Sequence, residues 1–236
     1  MTTEKWTELA QEYLLPHLPG FTLFREWLLL APIGWQVRGF CFSTAKWDHN
    51  TFTIEACVLP LYVPQFIGLT FGERLGVLAA HRGSLWWSFA TRNKREMSCD
   101  ILYRIRRNGL PYLEKRATLE AMTQLNHLDY PDERYIQRAM MCAGALLDDR
   151  RVIERQWKAY QQRKRQTPES GLTEWEKQLH HSIEKIYASA RNDPATLRQV
   201  ITSWRRLRAE EYRLERYLAE EPDDLRERAV AKASWW

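Results

Sequence analysis

Residues 51–59 read TFTIEACVL, and the alternation in this stretch decides the fold class. Phe52, Ile54, Ala56 and Val58 fall on one side of an extended chain, with Thr51, Thr53, Glu55 and Cys57 on the other. That two-residue period is the mark of a half-buried strand. Upstream, Trp35 to Phe42 is rich in β-formers, and Asp48-His49-Asn50 supplies the turn that joins it to this strand. Phe21 to Leu30 reads as the strand before these, closed by Pro32 and Gly34. Connections this short cannot make parallel crossovers, so the three segments predict an antiparallel meander.

Working outward, residues 3–15 form an amphipathic first helix, with Trp6, Leu9, Ala10, Tyr13 and Leu14 at helical spacing and Pro16 stopping it. On the other side, LPLYVPQFIGLTFGERLG (59–76) reads as an irregular strand and turn. From Asn93 the pattern turns helical: Asn93 and Glu96 fit a capping box, Met97, Ile101, Leu102 and Ile105 make one face, and Asn108-Gly109 reads as the stop. Pro111 opens the next helix, which carries Leu113, Ala117, Ala121, Met122 and Leu125. After Pro131 a helical hairpin follows, on Ile136, Ala139, Met140, Ala143 and Leu147, then Val152, Ile153, Trp157 and Tyr160, with its turn at Asp148-Asp149. The polar run 161–171 reads as a linker. Asp193-Pro194 opens a long helix whose apolar stripe runs Leu197, Val200, Ile201, Trp204, Leu207, Leu214 and Leu218.

The expected class is therefore α+β: an antiparallel Trp-rich sheet with flanking helices in a domain over 1–128, then an all-α region over 129–236. Within the second region the hairpin spans 131–165, the linker 161–171 and the long helices 172–220. Eight of the ten glycines precede residue 110, which agrees with a first half that turns often and a second that is mostly helix. The last stripe must be covered by its own domain, a partner or a second copy, so a homo-oligomer through the C-terminal helices is an open reading.

At 236 residues, 44% hydrophobic and 28% charged, the chain can bury a core and does not have the composition of a disordered protein. The +5 formal charge lies entirely after residue 100, because the first hundred residues hold nine basic and nine acidic side chains. This mild excess names no partner by itself. The longest uncharged run, Ala56 to Gly72, is interrupted by Pro60, Pro64 and Gly68, so no membrane span is expected. An opening MTTEKWTELA shows no export signal, and Cys41, Cys57, Cys99 and Cys142 in apolar contexts read as reduced core thiols, so the expected location is cytoplasmic.

Several chemistries lack their motifs. There is no phosphate-binding G-x-x-x-x-G-K-[ST] or G-x-G-x-x-G, no G-x-S-x-G elbow around Ser84, and no cysteine spacing of the zinc type, so no cofactor, metal or catalytic residue is expected. Glu176, His180 and Glu184 share a helix face, but without Glu-x-x-His they read as a solvated charged face. A site assembled from His49, Glu55 and Arg82 is the enzymatic alternative.

Eleven tryptophans are the most unusual feature. Trp6, Trp27, Trp35, Trp157, Trp175 and Trp204 fit apolar faces and read as core, whereas Trp47, Trp86, Trp87, Trp235 and Trp236 do not all fit. Adjacent residues of a strand point to opposite faces, so of Trp86 and Trp87 one can face the core while the other faces solvent, a partner or a helix packed over the second face. With Arg74, His81, Arg82 and Arg92 around them, these indoles form an interaction candidate of Trp-plus-Arg composition. A second candidate, for nucleic acid, is the basic run Arg150, Arg151, Arg155, Lys158, Arg163, Lys164 and Arg165.

Three stretches carry a family likeness: VLPLYVP (58–64), TFGERL (70–75) and GLPYLEK (109–115). On these the chain resembles a set of uncharacterised bacterial α+β proteins of the immunity or accessory type. The hairpin 135–160 is similar to one tetratricopeptide unit, although that repeat's Trp, Gly and Pro signature positions are not matched. The resemblance covers about the first 160 residues and brings no catalytic residue. It implies a non-enzymatic protein that binds a protein partner.

Overall fold

Five strands form the expected meander and lie in the sheet in chain order: β1 (Phe21–Phe24), β2 (Trp27–Leu30), β3 (Gln36–Thr44), β4 (Thr51–Pro60) and β5 (Phe71–Arg74). A sixth, β6 (Trp87–Ser88), pairs with the start of β4 at Phe52↔Trp87. The computed structural model describes residues 2–63, 71–75, 86–125, 133–166 and 171–219. Their chain divides into two compact units, one of Met1–Leu59, Gly68–Ala117 and Arg216–Trp236, the other of Pro60–Ile67 and Thr118–Glu215.

In the first unit the stretch 21–30 is a hairpin rather than one strand. Phe24 pairs with Trp27, and Arg25, at φ 54°, takes the left-handed conformation the two-residue turn needs. With no Gly or Asn there, the turn leaves no signal in the sequence. Strand β4 also departs from its pattern: Thr53 and Cys57 are as fully buried as Ile54 and Val58, so both faces of this central strand are covered. The alternation reflects side-chain type, and the neighbouring structure decides exposure. Of the stretch 59–76, Leu59 and Pro60 finish β4 and 71–74 form β5, with residues 64–70 and 76 outside the described residues.

The core of this unit is aromatic. Trp6, from the first helix α1 (Thr2–Leu9), stacks on Phe42 at 4.7 Å; Phe42 meets Phe52 at 4.9 Å; Phe52 stacks on Trp87 at 5.9 Å and on Phe89 at 4.7 Å. After α1 the chain continues as a π-turn over Ala10–Leu14 and a short 3-10 turn.

Helix α2 (Lys94–Arg104) begins at the expected residue, the Asn93 side chain accepting from the Arg95 amide, but among the described residues Glu96 makes no return bond, so the expected capping box is a simple cap. Asn108-Gly109 does not end it. A π-turn over Ile105–Gly109 leads directly into α3 (Leu110–Glu114), and Gly109 holds right-handed helical dihedrals. The wider loop of a π-turn accommodates Pro111, which has no amide hydrogen to give. Glycine is required at 109 for space: a Cβ there would lie 2.5 Å from Phe40 Cε1.

The second unit is helical. Helix α4 (Leu119–Thr123) is capped by Thr118, so the expected long helix after Pro111 is two short ones. Helices α5 (Glu133–Leu146) and α6 (Arg150–Lys164) make the hairpin, turning through Asp148 at φ 58° with Asp149 accepting from the Arg151 and Val152 amides. They approach closely at Gly144, where a Cβ would stand 3.1 Å from Val152 Cγ1. Because α6 runs to Lys164, it takes the first residues of the expected linker. Helix α7 (Glu174–Asn192) opens with a Thr173–Glu176 capping box, and α8 (Pro194–Tyr212) with Asp193 accepting from the Thr196 amide. Leu197, Ile201, Ala209 and Leu214 are buried here, while Val200 and Leu207 are exposed.

Among the described residues no helix is long and apolar enough to cross a membrane.

Candidate functional site

Three features of the two units carry chemistry, the first on the β3–β4 hairpin. Asp48 builds its turn, its Oδ1 accepting from the Asn50 amide at 2.9 Å and its Oδ2 from Thr51 Oγ1 at 2.5 Å. These bonds, the Thr51 hydroxyl foremost, hold the Asp48 carboxyl below its usual range. With the turn fixed, Trp47 is left 72% exposed, its ring edge-on to half-buried Trp86 at 4.9 Å and 68°. Lys46 and His49 beside it are exposed.

The predicted interaction set is therefore split. Trp87 is 2% exposed, and its indole N–H donates to Asp100 Oδ2 at 2.8 Å while the Arg104 guanidinium lies over its ring. It belongs to the core and is withdrawn as a docking residue, because its face is taken by Phe52 and its edge by Asp100. Trp86 keeps the role, and Trp47 is its neighbour across the turn. Arg74 sits on β5, where its backbone pairs with Glu55; His81 and Arg82 lie outside the described residues, as do Ser84, Trp235 and Trp236. Of the indoles expected in the core, Trp6 is fully buried, Trp27, Trp35, Trp157 and Trp204 are half-buried, and Trp175 is 43% exposed, stacked on Tyr135. The alternative enzymatic trio gains no support: His49 is exposed on the turn, Glu55 half-buried along β4, and Arg82 undescribed.

The second feature overturns the reading of Glu176, His180 and Glu184 as a solvated face. His180 is buried, and its Nδ1 lies 2.8 Å from the hydroxyl of Tyr160 on α6. That hydroxyl donates to Glu184 Oε1 at 3.1 Å, and Lys164 Nζ donates to the same oxygen at 2.7 Å. Arg134 of α5 donates to Glu176 Oε1 at 2.9 Å and presents Nη1 to His180 Nε2 at 3.4 Å. Only one arrangement of protons satisfies all of these. A guanidinium can only donate, so Nε2 must accept; Nδ1 then carries the hydrogen and gives it to Tyr160, which passes its own to Glu184. His180 is neutral in this chain of bonds, in keeping with a pKa lowered by burial and by the Arg134 and Lys164 charges. Glu176 is lowered to about 2 by the Thr173 hydroxyl and amide and by Arg134. Burial works to raise Glu184, but Lys164 and Tyr160 outweigh it. The signal for this network was available as the i, i+4, i+8 spacing; the partners, 20 or more residues away in sequence, were not.

The third feature is α6 itself. Arg151, Arg155, Lys158, Gln162 and the C-cap residue Arg165 follow one another at i, i+4, i+7, i+11 and i+14, and all are exposed. Arg150 is exposed, Arg163 half-buried, and half-buried Lys164 is paired with Glu184. Beside the helix N-terminus, Arg150, Ile153, Glu154, Ala190 and Arg191 line a groove of about 300 Å³.

The four cysteines are free thiols. Cys57 and Cys142 are buried as expected, Cys41 is half-buried, and Cys99, predicted for the core, is exposed on the solvent side of α2. Burial pushes the Cys41 thiol up to about 11 and the Cys142 thiol up to about 12. Among the described residues, no group of three or more His, Cys, Asp or Glu side chains is placed to hold a metal ion.

No protein-family model matches the chain, and no curated protein or solved structure is significantly similar to it.

Proposed function

We propose that this is a non-enzymatic protein-interaction module that docks a protein partner through the Trp47–Trp86 pair. The observation that carries the reading is Trp47, which leaves 72% of its surface to solvent at the tip of a turn fixed by Asp48. A rigid, exposed indole braced by a second indole is a ready anchor, since such residues bring large contact area at small entropic cost. Exposed Lys46 and His49 flank it and can hydrogen-bond the polar rim of a partner's apolar pocket. The role is that of an immunity or accessory factor, in line with the resemblance of the first 160 residues. The products of neighbouring genes are the first partners to try.

The test compares wild type with Trp47→Ala and Trp86→Ala in binding to the purified product of each neighbouring gene, by calorimetry. A complex weakened at least tenfold by Trp47→Ala, with unchanged thermal stability, supports the module. A complex that tolerates both substitutions places the interface elsewhere and overturns the assignment.

A further inference from the structure

We propose that the exposed face of α6 is a docking surface for the phosphate backbone of duplex DNA. This is independent of the Trp47–Trp86 reading, since it uses other residues and another ligand. The positions Arg151, Arg155, Lys158 and Arg165 recur on one face of the helix over 14 residues, a line of about 21 Å at 1.5 Å per residue. Among the described residues none of these four takes part in an ion pair; the Arg155 guanidinium is steadied by donating to the Thr123 carbonyl at 2.8 Å. The helix has a single acid, Glu154, which borders the stripe and is engaged by the Tyr187 hydroxyl, 3.1 Å from both its oxygens.

The composition of the stripe selects the ligand. A protein interface needs an apolar, desolvated centre, and this line of cations has none. A single strand is gripped by stacking its bases on aromatic rings. The one indole of α6, Trp157, is already occupied, stacked face to face on Tyr187 at 4.1 Å and 7°. The major groove of an A-form RNA duplex is too deep and narrow to admit a helix, whereas that of B-form DNA, about 12 Å wide, takes one. A row of cations interrupted by Gln162 alone fits regularly spaced phosphates, bound with little sequence preference.

The experiment is fluorescence anisotropy of the full chain with a labelled 20-base-pair DNA duplex over a salt series, beside a single strand, an RNA duplex and poly-glutamate. Four phosphate contacts predict a slope of log K against log salt of about −3.6, a loss of about 150-fold in affinity between 50 and 200 mM salt. Arg151→Gln, Arg155→Gln and Lys158→Gln together should flatten the slope to about −0.9, leaving a loss of about 3.5-fold. Gln162→Arg fills the gap in the row without removing any contact, so it should steepen the slope by about 0.9 even if the triple variant folds poorly. The proposal is overturned if the duplex fails to bind at low salt, or if neither variant moves the slope. It is equally overturned if poly-glutamate, the single strand or the RNA duplex binds as tightly as duplex DNA.

Discussion

Tyr160→Phe removes one oxygen from the second unit, and its cost depends on whether His180 is present. In the wild type the Tyr160 hydroxyl accepts the Nδ1 hydrogen of buried His180, at 2.8 Å, with no second acceptor among the described residues, and also donates to Glu184 at 3.1 Å. Deleting it orphans a buried donor, which costs ~1–3 kcal/mol, and removes one of the hydrogen bonds to a carboxylate that keeps Lys164 as a partner, at ~0.5–1 kcal/mol. We expect a total near ~2–3 kcal/mol. In a His180→Leu background the orphan no longer exists, so the same substitution should cost ~1 kcal/mol or less, a coupling of ~1–2 kcal/mol. Urea denaturation of the four proteins of this cycle at neutral pH measures it. The protons add a second signature. The folded pKa of His180 is lowered, so the unfolded chain binds a proton first as pH falls below about 6.5, and stability drops from there downward while remaining flat above. Glu176, lowered to about 2, contributes stability that is present above about 4.5 and is lost only below it. His180→Leu should abolish the first decline and leave the second. Equal costs of Tyr160→Phe in both backgrounds, or a wild-type stability indifferent to pH between 7.5 and 5.5, would refute the proton arrangement.

Trp87→Ala should destabilise the first unit by ~3–5 kcal/mol, read by thermal melting, because it empties a site that Phe52 and Asp100 enclose; Trp47→Ala should shift the melt by less than ~0.5 kcal/mol. Gly109→Ala raises helix propensity by ~1 kcal/mol yet should lower stability by ~1–2 kcal/mol net, since the new Cβ meets Phe40 Cε1 at 2.5 Å and Leu75 Cδ2 at 3.2 Å; a stabilised variant would show that Phe40 yields freely. A thiol reagent at neutral pH should modify Cys99 quickly and Cys57 and Cys142 only on unfolding, with the fast phase vanishing in Cys99→Ser; rapid labelling of Cys57 or Cys142 in the native protein would contradict their burial.

What the chain determined locally can be read from its own spacing. The period of Thr51 to Leu59, the turns at Asp48-His49-Asn50 and Asp148-Asp149, the caps at Asn93 and Asp193 and the basic run of α6 all depend on residues within a few positions of one another, and each was legible in the sequence. Contacts across long separations decided the rest. Gly109 reads as a helix stop until Phe40 arrives from β3 to occupy the space a side chain would need. Thr53 falls on the polar side of the β4 pattern until both faces of that strand are covered. Trp86 and Trp87 are equivalent in sequence, and only the strand pairing Phe52↔Trp87 with the reach of Asp100 sends one indole inward. His180 and its two carboxylates show their spacing along α7, but a hydrogen bond needs a donor and an acceptor, and Tyr160, Arg134 and Lys164 are brought to them only when α5 and α6 fold back as a hairpin.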